Sequence, residues 1–138
     1  YNIPYCASQK DWFLLERQRE TAEHFLKMKI RVPNLEKIDI DLDKVEEIKL
    51  GEKGIKVIKT PGHTPGGVSF FAEEWIFDGD LIFANGLRGQ SNHRYSSTKD
   101  IVRSMGKILK LPENTVILPG HGEETSVGEA KEFFRTGE

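Results

Sequence analysis

Two histidines and an aspartate stand in this chain where a loop could aim each side chain at a common point. His63 lies in Thr60-Pro-Gly-His-Thr-Pro-Gly-Gly67, a turn built from two prolines and three glycines between apolar runs that read as strands. His121 lies in a second such loop, Leu118-Pro-Gly-His-Gly122. Between them, the aromatic and apolar run Trp75-Ile-Phe-Asp-Gly-Asp80 ends in a carboxylate, with Asp78 as its competitor two residues earlier. Proline and glycine let a backbone turn sharply enough to aim a short side chain, and flanking strands hold the loop in place. Imidazole nitrogen and carboxylate oxygen together suit zinc and similar divalent metals. The chemistry expected is therefore metal binding through His63, Asp80 and His121. His24, within Ala22-Glu-His-Phe25, reads as a surface or packing residue of a helix. His93, in Gln90-Ser-Asn-His-Arg94, reads either as a solvated loop residue or as a substrate contact.

The elements that must position these residues follow from periodicity and turn chemistry. Ile3 to Ala7 reads as an apolar strand. Ser8 and Asp11 form a capping-box pattern opening a helix through Trp12-Phe-Leu-Leu15, with Glu16 to Glu20 as a break or exposed turn and a second helix from Thr21 to about Met28. Residues 32–44 read as an extended connection containing a short strand. Val45 to Leu50 and Ile55 to Lys59 form a hairpin across Gly51-Glu-Lys-Gly54, and Gly67 to Ala72 and Trp75 to Asp78 form another across Glu73-Glu74. After a glycine-rich loop, Asn85 to Arg94, Ser97 with Asp100 caps a helix whose apolar positions Ile101, Met105, Ile108 and Leu109 recur at helical spacing. Pro112 ends it, Thr115 to Pro119 is a short buried strand, and a closing helix from about Val127 to Phe134 puts Val127, Ala130, Phe133 and Phe134 on one face. Hairpins followed by strand–helix–strand–helix describe an α/β arrangement, a sheet with helices on its outer face.

TPGHTPGGVSFF, IFDGDLIFANG and VILPGHGEETSVGEAKEFF resemble three successive motifs of the metallo-β-lactamase superfamily, in the branch of glyoxalase II-type hydrolases (hydroxyacylglutathione hydrolases). The resemblance runs from about Ile55 to Phe134. It implies the C-terminal half of a four-layer αβ/βα sandwich, and two divalent metal ions, most simply zinc, with iron or manganese as alternatives. It implies that His63 completes the first metal's set of three histidines, that Asp80 rather than Asp78 bridges both metals, and that His121 completes the second set. It implies hydrolysis of a small thioester or ester by metal-activated hydroxide. An iron-dependent oxidoreductase of the persulfide dioxygenase or flavodiiron type shares that fold and stands as the alternative, as does a non-catalytic interaction module. The family's Gly-Arg-x-Asp run before the next helix is matched by Arg88 without its aspartate; Arg88, and His93 in the polar loop beside the site, are the candidate substrate contacts.

The family's first metal motif, His-x-His-x-Asp-His, has no counterpart among His24, His63, His93 and His121, and the chain opens at Tyr1 rather than Met. Residues 1–138 are thus expected to be a partial domain whose N-terminal part is missing, inactive alone, and in need of that part or a second copy to complete its core. Composition points the same way, with 37% hydrophobic and 30% charged residues. A formal charge of -2 without a Lys/Arg-rich block speaks against a nucleic-acid or membrane surface. The single cysteine, Cys6, cannot form an intrachain disulfide; it reads as a small buried hydrophobe in a reducing, cytoplasmic setting. No Gly-x-Ser-x-Gly nucleophile motif occurs.

Overall fold

The computed structural model describes residues 3–32 and 35–136. Its centre is a six-stranded sheet whose spatial order follows the sequence: β3 (Glu47–Leu50), β4 (Lys53–Lys59), β5 (Val68–Ala72), β6 (Trp75–Gly79), β7 (Val116–Pro119) and β8 (Thr125–Ser126). Every neighbouring pair is antiparallel except β6 and β7, which run parallel because helix α3 (Thr98–Ile108) carries the chain back between them. The short strands β1 (Cys6–Ala7) and β2 (Ile40–Asp41) pair parallel in a separate two-stranded sheet. Between those two strands lie α1 (Trp12–Leu15) and α2 (Gln18–Leu26), and α4 (Val127–Thr136) follows β8.

Opposed residues in neighbouring strands share a face, so the register sorts the sheet into two sides. Phe71, Ile76 and Ile117 face one way and meet Ile101, Met105 and Ile108 of α3 and Val127 and Ala130 of α4 in the core, joined by Leu81 and Ile82. The heptad-like spacing of Ile101, Met105 and Ile108 sets one stripe of α3 against the sheet. That helix starts where the sequence places it, with Ser97 Oγ accepting from Asp100 N at 3.2 Å. The opposite side carries Val57, Phe70, Phe77, Leu118, Trp75 and Val116. Val57 is buried there, but Val68, Phe70, Val116 and Leu118 are only half-buried, and Trp75 and Phe77 are 38% and 50% exposed.

Several local expectations shift. The second helix begins at Gln18 rather than Thr21, so the break shrinks to Glu16 and Arg17, and Lys27 in the left-handed region (φ 55) ends it before Met28. The Ser8 box opens a single 3-10 turn, Gln9–Asp11, before α1. The first hairpin is longer than its glycines suggested: Lys53 and Gly54 pair as strand, leaving Gly51 and Glu52 as the turn. Within the connection 32–44, β2 is the short strand, and Pro33 and Asn34 lie outside the described residues. Cys6 is half-buried rather than buried, because β1 belongs to the small outer sheet and not to the core. Phe134 is exposed, whereas Val127 and Ala130 of the same helix are buried. Strand β8 had no periodicity to reveal it, having two residues.

Candidate metal centre

Strand direction gathers the candidate ligands. β5 is antiparallel to both β4 and β6, so β4 and β6 point the same way, and β7 is parallel to β6. The C-terminal ends of β4, β6 and β7 therefore open on one edge of the sheet. His63 follows the first, Asp80 the second and His121 the third. His63 Nε2 lies 3.5 Å from Asp80 Oδ2, and His121 Nε2 lies 3.6 Å from Asp80 Oδ1. Each oxygen of one carboxylate thus faces a different imidazole.

Those separations are too long for hydrogen bonds. They match two ligand atoms sharing one tetrahedral zinc, which bond lengths near 2.0–2.2 Å place about 3.4 Å apart. The tautomer agrees as well. His63 Nδ1 is 2.8 Å from the carbonyl oxygen of Gln90, which can only accept, so Nδ1 carries a proton and the lone pair of the neutral ring is the one on Nε2, on the side of Asp80. His121 is oriented instead by stacking on Phe83, with ring centroids 4.6 Å apart. Its side chain remains 73% exposed, against 29% for His63. The donor set fits a carboxylate-bridged pair of metals, each holding one histidine and one oxygen from this chain. Among the described residues, no group of three or more His, Cys, Asp or Glu side chains is placed to hold one ion. Both half-sites fall short of the three or four protein ligands that zinc sites use.

The aim of Asp80 is set by its strand. On β6 two residues, Asp78 and Gly79, advance against one on β7, so Asp78 is the extra residue of a bulge. Bulges re-aim the following side chain and recur beside active sites. Gly120 and Gly89 close around Asp80: a Cβ at Gly120 would lie 2.7 Å from Asp80 Oδ1, and one at Gly89 would overlap the Asp80 carbonyl oxygen. Asp78 is buried, 3% exposed. Its Oδ2 accepts from Ile82 N at 3.0 Å, and its Oδ1 has no hydrogen-bond partner among the described residues. Burial pushes its carboxyl up to about 8, against the opposing pull of the Ile82 N–H.

A cleft of about 660 Å³ opens over the three residues, with Phe83, Leu87, Arg88 and Glu123 on its walls. Arg88 lines it. His93 is not among its lining residues; its ring lies 5.8 Å from that of His63 and stacks at 5.1 Å on Tyr95. His24 is exposed, and its ring meets that of Phe25 edge to face. The orienting roles of Phe83 and the Gln90 carbonyl left no trace in the sequence, since a carbonyl is the same at every residue and Phe83 reads as ordinary apolar chain.

The metallo-β-lactamase superfamily model matches residues 2–121, a span that takes in His63, Asp80 and His121. The chain belongs to the metallo-β-lactamase superfamily. Among curated superfamily relatives, the hydroxyacylglutathione hydrolase GloC of Haemophilus influenzae is 30% identical over 131 residues, covering 91% of this chain and 59% of that enzyme. Among solved structures, the BLEG-1 B3 metallo-β-lactamase has a TM-score of 0.82 at 28% identity, over 96% of this chain and 64% of that one. TTHA1623, solved in a di-iron-bound form, has a TM-score of 0.78 at 29% identity, over 94% and 63%. The mixed α/β fold of this chain is the metallo-β-lactamase fold of the BLEG-1 structure. The chain spans less than two thirds of the length of the curated relatives it matches. No helix among the described residues is long and apolar enough to cross a membrane.

Proposed function

We propose that this chain is the part of a metal-dependent hydrolase that supplies His63 to one divalent ion, His121 to a second and Asp80 to both, and that the whole protein cleaves a small thioester or ester. The observation that carries the reading is the single carboxylate with each oxygen facing a different imidazole Nε2, at 3.5 and 3.6 Å. Metal ions in such a pair supply a water acidic enough to be hydroxide at neutral pH and polarise the carbonyl under attack. The chain's own contribution is aim and enclosure. The Gln90 carbonyl holds His63 in the Nδ1–H tautomer, Phe83 holds the plane of His121, and the bulge at Asp78 turns Asp80 to the edge between them. Leu87 and Phe83 offer an apolar wall for an acyl group, and Arg88 a cation for an anionic end. His93, its ring 5.8 Å from that of His63, is proposed as a further polar contact for a substrate that reaches past the cleft wall. The hydrolase named among the relatives supports the thioester class, and a cytoplasmic setting accords with the lone Cys6.

Each half-site here has two ligands, so the remaining ligands belong to residues outside this set, and 1–138 alone is inactive in this reading. The test is metal content and turnover of the protein expressed from its whole reading frame. About two zinc ions per chain with thioester hydrolysis, both lost in Asp80→Asn, is the expected result. Hydrolysis that survives full chelation would sink it. The di-iron-bound neighbour favours a second reading, an iron oxidoreductase, which predicts iron in the purified protein and oxygen consumption with a persulfide in place of thioester cleavage.

A further inference from the structure

We infer that Asp11 is a positioning residue for His63: it clamps the loop that presents this histidine to the segment that opens the chain. The inference rests on the metal-ligand reading of His63. In a capping box the acidic residue returns to the backbone N–H of the cap. Asp11 does not. Ser8 caps the turn alone, its Oγ accepting from Lys10 N at 3.1 Å and donating to Asp43 Oδ2 at 2.7 Å. Both oxygens of Asp11 reach across the fold instead. Oδ2 accepts from the Thr64 hydroxyl at 2.6 Å and Oδ1 from Gly66 N at 2.7 Å, the residues just after His63. Hydrogen bonds this short to a carboxylate are the strong, charge-assisted kind.

The contact is close as well as polar. A Cβ at Gly66 would run into Ser8 Oγ and stand 2.8 Å from Asp11 Cγ, so glycine is what lets the loop lie on the Ser8–Asp11 turn. From the other side, the Ser96 hydroxyl donates to His63 O at 2.7 Å and Ser97 N donates to Gly62 O at 2.8 Å. The loop is therefore pinned between the start of α3 and Asp11. Removing one pin leaves the loop attached but free to swing, and a metal ligand tolerates little of that, about 0.5 Å in productive sites. Asp11 touches neither metal nor substrate in this arrangement; it acts through Thr64 and Gly66.

The test uses the protein from its whole reading frame, with Zn²⁺ itself as probe. Asp11→Ala is expected to weaken zinc binding roughly tenfold, as loss of an outer-shell partner does. It should also speed amide hydrogen exchange at Gly66 and shift the His63 ring nitrogen signals in the metal-free protein. Asp11→Asn keeps an acceptor for Gly66 N and an amide for the Thr64 hydroxyl, so it should restore most of the affinity. A residue needed only for stability would instead move affinity in step with melting temperature in both variants, which would overturn the inference. So would unchanged exchange at Gly66 in Asp11→Ala. Should that variant fail to fold, Thr64→Val removes one of the two bonds and is read by the same measurements. If His63→Ala leaves zinc affinity intact, the metal reading of His63 is what fails, and exchange at Gly66 with the His63 ring signals then decides the clamp alone.

Discussion

In the proposed metal centre Asp80 would serve two ions because its two oxygens face two imidazoles, and the glycines around it keep that aim. Gly89 stands so close to the Asp80 carbonyl that no Cβ fits between them. Gly89→Ala should therefore push β6's end out of place, at roughly 1–3 kcal/mol of stability, the usual cost of overpacking, with loss of zinc binding beyond that expected from stability. Denaturant titration beside zinc titration checks it; equal stability and affinity would contradict the close approach. Asp78 does something different from Asp80 two residues away. Buried, it satisfies the backbone N–H of Ile82. Asp78→Ala leaves that donor buried without a partner, which costs about 1–3 kcal/mol, whereas Asp78→Asn keeps an acceptor there and should lose less. If the two variants melt alike, the Ile82 contact is not what Asp78 contributes.

At the scale of elements, α4 depends on a reciprocal cap between Ser126 and Glu129. Ser126 Oγ accepts from Glu129 N at 3.1 Å, and Glu129 Oε2 accepts from Ser126 N and the Thr125 hydroxyl, each at 2.9 Å. Ser126→Ala should cost about 0.5–2 kcal/mol. Those partners favour the charged form of Glu129, with the Thr125 hydroxyl the largest influence, and hold its carboxyl below the usual value. A carboxyl lowered in the folded state stabilises above its unfolded value and loses that contribution as pH falls through the folded one. The helix should therefore weaken as the solution is taken below about pH 4.5, the ordinary range for glutamate. Glu129→Gln should remove that part of the acid sensitivity, read by unfolding at pH 7 and pH 3. An identical pH slope in both proteins would refute it.

For the whole molecule, the two faces of the sheet have different fates. One is roofed by α3 and α4, while the other leaves Trp75 and Phe77 substantially exposed beside half-buried Val68, Phe70, Val116 and Leu118. Leaving a large apolar side chain in water forgoes about 1.5–3 kcal/mol, and a domain's whole stability is typically about 5–15 kcal/mol. We propose that this face is covered in the working protein, by further chain of the same protein or by a second copy. A polypeptide of residues 1–138 alone should sediment as a dimer or larger species and bind a hydrophobic dye, and Phe77→Ser with Trp75→Ser should reduce both. A monomer that takes up no dye would show that the face needs no cover.

What could be read from the residues alone was whatever depends on near neighbours in the chain. The donor types of His63, Asp80 and His121, the glycines and prolines that turn each loop, the stripe of α3 and its Ser97 cap are each written within a few consecutive residues, and the strands were legible wherever alternation ran long enough. Helix ends and two-residue strands were not, because local propensity differs little there and long-range packing decides. Tertiary structure alone decided the rest. Whether three strand ends meet depends on the direction of each strand, and the α3 crossover that makes β7 parallel to β6 brings His121 to the edge already holding His63 and Asp80. Which aspartate turns outward was set by a bulge defined only against β7, which buries Asp78 and frees Asp80. Asp11 could satisfy a local cap or a distant loop with the same two oxygens, and only the folded chain, by laying Gly66 against Ser8, supplied the stronger partners.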